Sequence, residues 1–240
     1  MNLKIKPGKI HPLMQVSQDC ISIFSEMGFS VASGPEMESQ WYNFDALNVP
    51  KDHPSRDMQD TFFVQASKGS DGLPLVMRTH TSSVQIRHME KNGAPVRIIV
   101  PGKVFRNEAT DATHEAQFHQ LEGLMVDIDV TLGHLKGTLE YFFKKYLGEE
   151  TEVRLRPGFF PFVEPGVEVD LKFNGKWLEV LGAGMVHPNT LQAAGVDPKK
   201  YQGFAFGMGI DRIAMMKYNF SDVRDFYTGD LRVHNGLQEK

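Results

Sequence analysis

Extended segments follow one another along this chain with no helix between most of them, and that order constrains the fold more than any other feature. Period-two patterning marks candidate strands at 61–66, 75–79, 96–105, 117–126, 167–173 and 177–181. The last two flank Asn174-Gly175, a dipeptide suited to a tight hairpin turn. Parallel neighbours need long crossovers, whereas strands joined by short links pair antiparallel. The expected class is therefore α+β, a mainly antiparallel sheet flanked by helices, and not a doubly wound fold. Helical spacing supplies the flanking layers. Pro12 opens one segment with Leu13, Val16, Cys20, Ile23, Phe24 and Met27 on one stripe, and Gly28 ends it. Leu132, Leu135, Leu139, Phe142, Phe143 and Tyr146 mark a second over 131–146, and a shorter third covers 82–91.

Composition closes off several function classes. A chain of 240 residues buries a core without staples, and its single cysteine, Cys20, cannot form an internal disulfide. No repeat, low-complexity tract or linker divides it, which points to one domain. No apolar run reaches membrane-spanning length, and nothing apolar follows Met1-Asn2-Leu3-Lys4 to act as a secretion signal. The expectation is a cytoplasmic protein with no membrane partner. A net charge of -4 excludes a polycation that holds nucleic acid by charge alone. The distribution is uneven: residues 78–106 carry six basic side chains and one acidic, residues 107–129 six acidic and no Lys or Arg. That fits an anion site beside a cation site, and alternating solvated faces fit it too.

Four constellations carry chemistry. In Phe105-Arg106-Asn107-Glu108 and Phe118-His119-Gln120-Leu121-Glu122-Gly123, strand alternation would put Arg106 and Glu108 on one face and Phe118, Gln120 and Glu122 on one face. An arginine offers a fork for phosphate, an aromatic ring a plate for a base, and a carboxylate an acceptor for an amine or metal. A salt-bridged hairpin is the better explanation of Arg-x-Glu alone, and the added Phe-x-Gln-x-Glu weakens it. In Gly203-Phe204-Ala205-Phe206-Gly207-Met208-Gly209-Ile210-Asp211-Arg212 a strand enters a glycine-lined turn and then a helix with Arg212 in its first turn, an anion site or simply a tight turn. The glycine spacing and the lack of a following ribose-binding acid exclude a dinucleotide fingerprint. Phe160, Phe162 and Glu164, read as one extended segment, would share a face, and Glu179 in an apolar strand would need a partner or a cation if it faced a core. Finally, in Arg78-Thr79-His80-Thr81-Ser82-Ser83, Thr81 or Ser82 could cap a helix, or His80 and Ser82 could hold a ligand.

Taken in order, these segments resemble the three signature motifs of class II aminoacyl-tRNA synthetases. The likeness narrows to the alpha subunit of the bacterial phenylalanyl type through Tyr42-Asn43-Phe44-Asp45-Ala46-Leu47-Asn48, His53-Pro54, Arg78-Thr79-His80-Thr81-Ser82, Phe160-Pro161-Phe162-Val163-Glu164-Pro165 and Leu181-Gly182-Ala183-Gly184-Met185-Val186-His187-Pro188. The first motif corresponds to Met27-Gly28-Phe29 through Pro35-Glu36-Met37-Glu38.

The resemblance implies that phenylalanine and ATP form phenylalanyl-adenylate, which is transferred to the 3′ end of tRNA(Phe). It implies catalytic roles for Arg106 on the α-phosphate, Arg212 on the γ-phosphate, His114 on the triphosphate tail and Glu108 at the adenine side. Phe118 would stack on adenine, and Glu179 and Glu164 would bind Mg²⁺. His80, Ser82, Gln120 and Glu122 would position the ammonium and carboxylate of the amino acid, while Phe160, Phe162, Val163 and Ala205 would wall the phenyl pocket. Such a pocket rejects tyrosine by only about a hundredfold. Gln59 stands where relatives vary and some carry an aromatic residue. The family further implies a beta subunit in an (αβ)2 assembly, with alpha–alpha contact through the first motif. Residues 1–10 read as an extension and 11–240 as the catalytic domain, without the helical tRNA-binding arm of the family. Two other readings remain open: a paralogue that adenylates an amino acid for another acceptor, and a non-catalytic scaffold on the same fold.

Overall fold

The computed structural model describes residues 8–57, 60–70, 72–173 and 175–231. Along the chain run α1 (Pro12–Glu26), β1 (Ser30–Val31), β2 (Met37–Glu38), α2 (Gln40–Asn43), β3 (Phe63–Lys68), β4 (Pro74–Met77), α3 (Ser82–Asn92), β5 (Val96–Phe105) and β6 (Gln117–Asp127). They are followed by α4 (Leu132–Leu147), β7 (Val153–Phe160), β8 (Val163–Phe173), β9 (Lys176–Val186), α5 (Pro188–Ala193), β10 (Gln202–Gly209) and α6 (Ile210–Tyr218). A seven-stranded sheet has the order β1-β5-β6-β10-β9-β8-β7, and β2-β4-β3 form a small second sheet. Every pairing is antiparallel except that of β1 with β5, as the strand order implied. Phe173 faces Lys176 across a two-residue turn in which Gly175 has φ +77°; Asn174 itself lies outside the described residues.

Alternation assigns each strand two different neighbourhoods. Ile99, Leu121, Val169, Leu181, Ala183, Phe204, Phe206 and Met208 point to a core roofed by α1, α4 and α6, where Phe24 stacks on Phe142 at 4.6 Å. Ile98, Val100, Leu124, Val126 and Val186 point the other way, under Phe44, Leu47, Val84, Met89 and Leu191. This second layer does not continue across the sheet. On β9 and β10 its positions are filled by Gly182, Gly184, Ala205 and Gly207, so the face that would carry apolar side chains is hollow there.

The sequence patterns miss the short β1, β2 and α2, and also two longer elements, β7 and α5. β7 alternates Val153, Arg154, Leu155 and Arg156, but its charged half hid the period; α5 is announced by His187-Pro188, where the histidine ring accepts from Asn189 N at 3.1 Å. Phe160, Phe162 and Glu164 do not belong to one extended segment. β7 ends at Phe160, the chain turns, and β8 begins at Val163 opposite it.

The small sheet is tied to α3 by a buried carboxylate. Glu38, 1% exposed, takes a bidentate pair from Arg87 at 2.8 and 2.6 Å, and that guanidinium lies 3.7 Å over the Tyr42 ring. Arg87→Ala would leave Glu38 buried without its cation. The expected result is a loss of about 3 kcal/mol of unfolding free energy by denaturant titration; a change below 1 kcal/mol would show that the pair is not structural.

Candidate active site

A cavity of ≈ 640 Å³ opens over the hollow part of the sheet. It brings together His80, Ser82, Arg106, Glu108, Phe118, Gln120, Glu122, Phe160, Phe162, Val163 and Ala205 from the sequence-based set. Phe118, Gln120 and Glu122 reach it from alternate positions of β6. β5 stops at Phe105, so Arg106 and Glu108 enter from the loop that follows and not from a strand face.

Glu122 is the centre of the polar end. It is 5% exposed and accepts from Thr81 N at 2.9 Å, from Ser82 Oγ at short range and from Gln85 Nε2 at 3.5 Å. Thr81 is the N-cap residue of α3, as one of the two sequence readings had it, but it caps without its side chain. Neither side chain caps α3: Thr81 Oγ1 donates to Val100 O at 3.0 Å, and Ser82 is spent on Glu122. Burial pushes the Glu122 carboxyl up to about 7, against the pull of its hydrogen bonds and of Arg106. Burial, helped by Arg106, pushes His80 down to about 4, so its ring is neutral at pH 7. Two buried atoms here have no hydrogen-bond partner among the described residues, His80 Nδ1 and Gln120 Oε1. Both atoms are open to a polar group that enters the cavity.

The other end is aromatic. Phe160 and Phe162 lie 6.1 Å apart at 28°, and the His80 ring stands 6.4 Å from Phe162. Gly182 lets the wall form: a Cβ there would sit 2.6 Å from Phe160 Cζ. Between the two ends Arg106 is fixed by Nε donation to Thr79 O at 3.1 Å, with its guanidinium 5.0 Å over the Phe118 ring.

Four expected site residues do not line the cavity. Arg212 is exposed in the first turn of α6, directly after cavity-lining Gly209. That turn is pinned by buried Asp211, which accepts from His119 N at 2.8 Å and from the Tyr227 hydroxyl; burial raises its carboxyl to about 6. His114 sits on the loop after Arg106, exposed and 3.0 Å from Asp111. Glu164 is 74% exposed and 3.3 Å from His187. Glu179 corrects the notion of a carboxylate facing a core. A bulge opposite Val169 and Asp170 turns both Val180 and Leu181 into the core and leaves Glu179 on the other face, 58% exposed and 3.2 Å from Arg156. Among the described residues no group of three or more His, Cys, Asp or Glu side chains could hold a metal ion, and no helix is long and apolar enough to cross a membrane.

Phe44, His53 and Thr79, which stand in the family strings without a site role, and Val49, Ser55, Asp60 and Gln85, which the sequence did not single out, also line the cavity. Only Gln85 had a local signal, standing one helical turn after Ser82. Gln59 lies outside the described residues.

A family profile described as "tRNA synthetases class II core domain (F)" matches residues 2–237. Curated relatives named phenylalanine–tRNA ligase alpha subunit include those of Jannaschia sp. (strain CCS1), 53% identical over 94% of this chain and 66% of its own length, and Bacillus licheniformis, 54% identical over 95% and 68%. This chain thus spans about two thirds of the length of the relatives it matches. Among solved structures, pyrrolysyl-tRNA synthetase from Desulfitobacterium hafniense superposes with a TM-score of 0.70 at 16% identity, covering 90% of this chain and 73% of that one, which is a likeness of fold. An antiparallel sheet with helices on its core face, the profile match along nearly the whole chain and relatives above half identity lead to one conclusion: the chain belongs to the class II tRNA synthetase core family, in its phenylalanine–tRNA ligase alpha-subunit branch.

Proposed function

We propose that this chain activates phenylalanine with ATP to phenylalanyl-adenylate and, with a beta subunit, transfers it to the 3′ end of tRNA(Phe). The observation that carries the reading is the pairing, in one cavity, of a buried carboxylate and two unmatched polar atoms with an aromatic wall. An amino acid with an apolar ring fits both ends. Its ammonium donates to Glu122 and Gln120 Oε1, and its ring lies against Phe160 and Phe162.

The chemistry needs no protein nucleophile. The substrate carboxylate attacks the α-phosphorus and pyrophosphate leaves, so the protein must align the reactants and neutralise developing charge. Arg106 supplies the fork at the α-phosphate from a guanidinium whose plane is already set. The Phe118 ring is assigned to adenine, with Glu108 in the same lining, and Arg212 and His114, which lie outside the cavity lining, are assigned to the triphosphate tail. The family implies ATP-dependent catalysis, generally with Mg²⁺. Mg²⁺ is held by one or two carboxylates plus substrate phosphates, not by an all-protein cage. Glu179, an exposed carboxylate on the cavity side of β9, fits such an ion, which would screen the phosphate charge. Glu164, paired with His187, is assigned the second metal position.

For the assembly, support comes from the exposed apolar side chains of the first-motif region, Val31, Met37 and Trp41, which suit an alpha–alpha contact within an (αβ)2 tetramer. Amino-acid-dependent exchange of pyrophosphate into ATP, with this chain alone and with its beta subunit, tests the reading. Phenylalanine is expected to drive exchange above all other amino acids, with tyrosine about a hundredfold weaker. Silence in both preparations, with the protein folded, would refute it; exchange without charging of tRNA would favour another acceptor.

A further inference from the structure

Asn48 lies outside the cavity lining, yet it joins the segments that build the apolar wall. It follows the 3-10 turn Asp45–Leu47 in a left-handed conformation, φ 57° and ψ 22°, which asparagine tolerates better than most residues. Its side-chain amide is used at both ends. Nδ2 donates to Pro161 O at 2.8 Å, and Oδ1 accepts from Asn189 Nδ2 of α5 at 3.0 Å. The next carbonyl of the same turn, Phe162 O, is held by His187 N at 2.9 Å, and His187 is the N-cap of α5. The turn carrying Phe160 and Phe162 is thus fixed to α5 and to the Asn48 segment.

That segment is itself anchored and contributes the facing wall. Arg56 donates to Asp45 Oδ1 at 2.8 Å, and its guanidinium lies 4.9 Å from the centre of the Phe44 ring. Phe44 and Val49 line the cavity from the Asn48 side, Phe160 and Phe162 from the turn. The Asn48 amide therefore ties the two apolar walls directly to each other, beside the His187 bond that ties the turn to α5. We propose that Asn48 is a positioning residue for side-chain specificity: it fixes the width of the aromatic compartment and so the preference for an unsubstituted ring over a para-substituted one. The proposal rests on the reading that this cavity binds phenylalanine.

The test uses the full chain with its beta subunit and measures pyrophosphate exchange with phenylalanine, tyrosine and para-chlorophenylalanine. Asn48→Gly keeps the left-handed backbone and removes the amide; Asn48→Asp keeps the acceptor for Asn189 but cannot donate to Pro161 O. Both should raise the KM for phenylalanine about tenfold with the KM for ATP unchanged, and lower the phenylalanine-to-tyrosine ratio of kcat/KM at least about fivefold. Asn189→Ala, which spares the bond to Pro161, should move both in the same direction by less; with Asn48→Asp it carries the test if the glycine variant does not fold. An unchanged phenylalanine-to-tyrosine ratio in folded variants, or equal rises in KM for both substrates, would overturn the proposal. Wild-type protein without phenylalanine-dependent exchange would overturn the underlying reading first, and this inference with it.

Discussion

Arg106→Ala is expected to lower phenylalanine-dependent pyrophosphate exchange by about a thousandfold or more in kcat/KM while leaving the chain folded. The side chain reaches the cavity from a loop, so its loss opens no gap in either apolar core. The loss falls on the transition state, because the guanidinium is oriented before substrate arrives by Thr79 O and by the Phe118 face. Arg106→Lys should recover less than about a tenth of the activity, since an ammonium can neither fork across two phosphate oxygens nor lie flat on the ring. A second readout separates charge from packing. Arg106 is among the groups that pull Glu122 down, so both variants test its field: alanine should shift the acidic limb of the activity profile to higher pH, and lysine should leave it closer to wild type. A variant within tenfold of wild type would remove Arg106 from the phosphate site.

Much of this was legible in the sequence, and the boundary has physical causes. Strand order and the antiparallel class follow from period and link length, which are local quantities, and so does the alignment of Phe118, Gln120 and Glu122. Phe160 and Phe162 were identified as a wall, but their hairpin was not, because a turn at Pro161 and Phe162 lacks the glycine or asparagine that announces one. Glu179 was misjudged because one bulged residue reverses which face a strand presents, and nothing in Trp177-Leu178-Glu179-Val180-Leu181 marks the bulge. The hollow itself could not be read. It exists because Gly182, Gly184, Ala205 and Gly207 from two neighbouring strands coincide on one face, a matter of register between segments distant in sequence. Asn48 was visible only as part of a family string, since its partners Pro161 and Asn189 are each more than a hundred residues away.

Glu122→Gln is expected to give a protein that is more stable than wild type above neutral pH and nearly unable to bind its amino acid. The carboxyl holds its proton to about 7 in the folded chain but to about 4.5 in the unfolded one. Between those values the native state binds more protons, so stability falls as pH rises, and the accumulated cost at pH 8 is about 3 kcal/mol. Glutamine is uncharged and can still accept from Thr81 N while its amide donates to Ser82 Oγ, so the cost disappears. The difference in unfolding free energy between variant and wild type, in which the shifts of Asp211 and His80 cancel, should therefore grow from pH 5 to pH 8 and reach a gain of about 2 kcal/mol for the variant at pH 8; a variant less stable than wild type at pH 8 would contradict the assignment. Function moves the other way. The substrate ammonium favours the ionised carboxylate, so wild-type affinity should climb as pH rises toward 7 and level off above it, while the glutamine variant binds on the order of a hundredfold more weakly with no such slope. Below pH 7 wild-type binding must expel the proton of Glu122. Calorimetry in buffers of different ionisation enthalpy should find up to one proton released per phenylalanine bound at pH 6, and none in the variant. On the proposed reading, the free energy that burial of this hydrogen-bonded carboxylate costs the fold is the free energy that a substrate ammonium would offset.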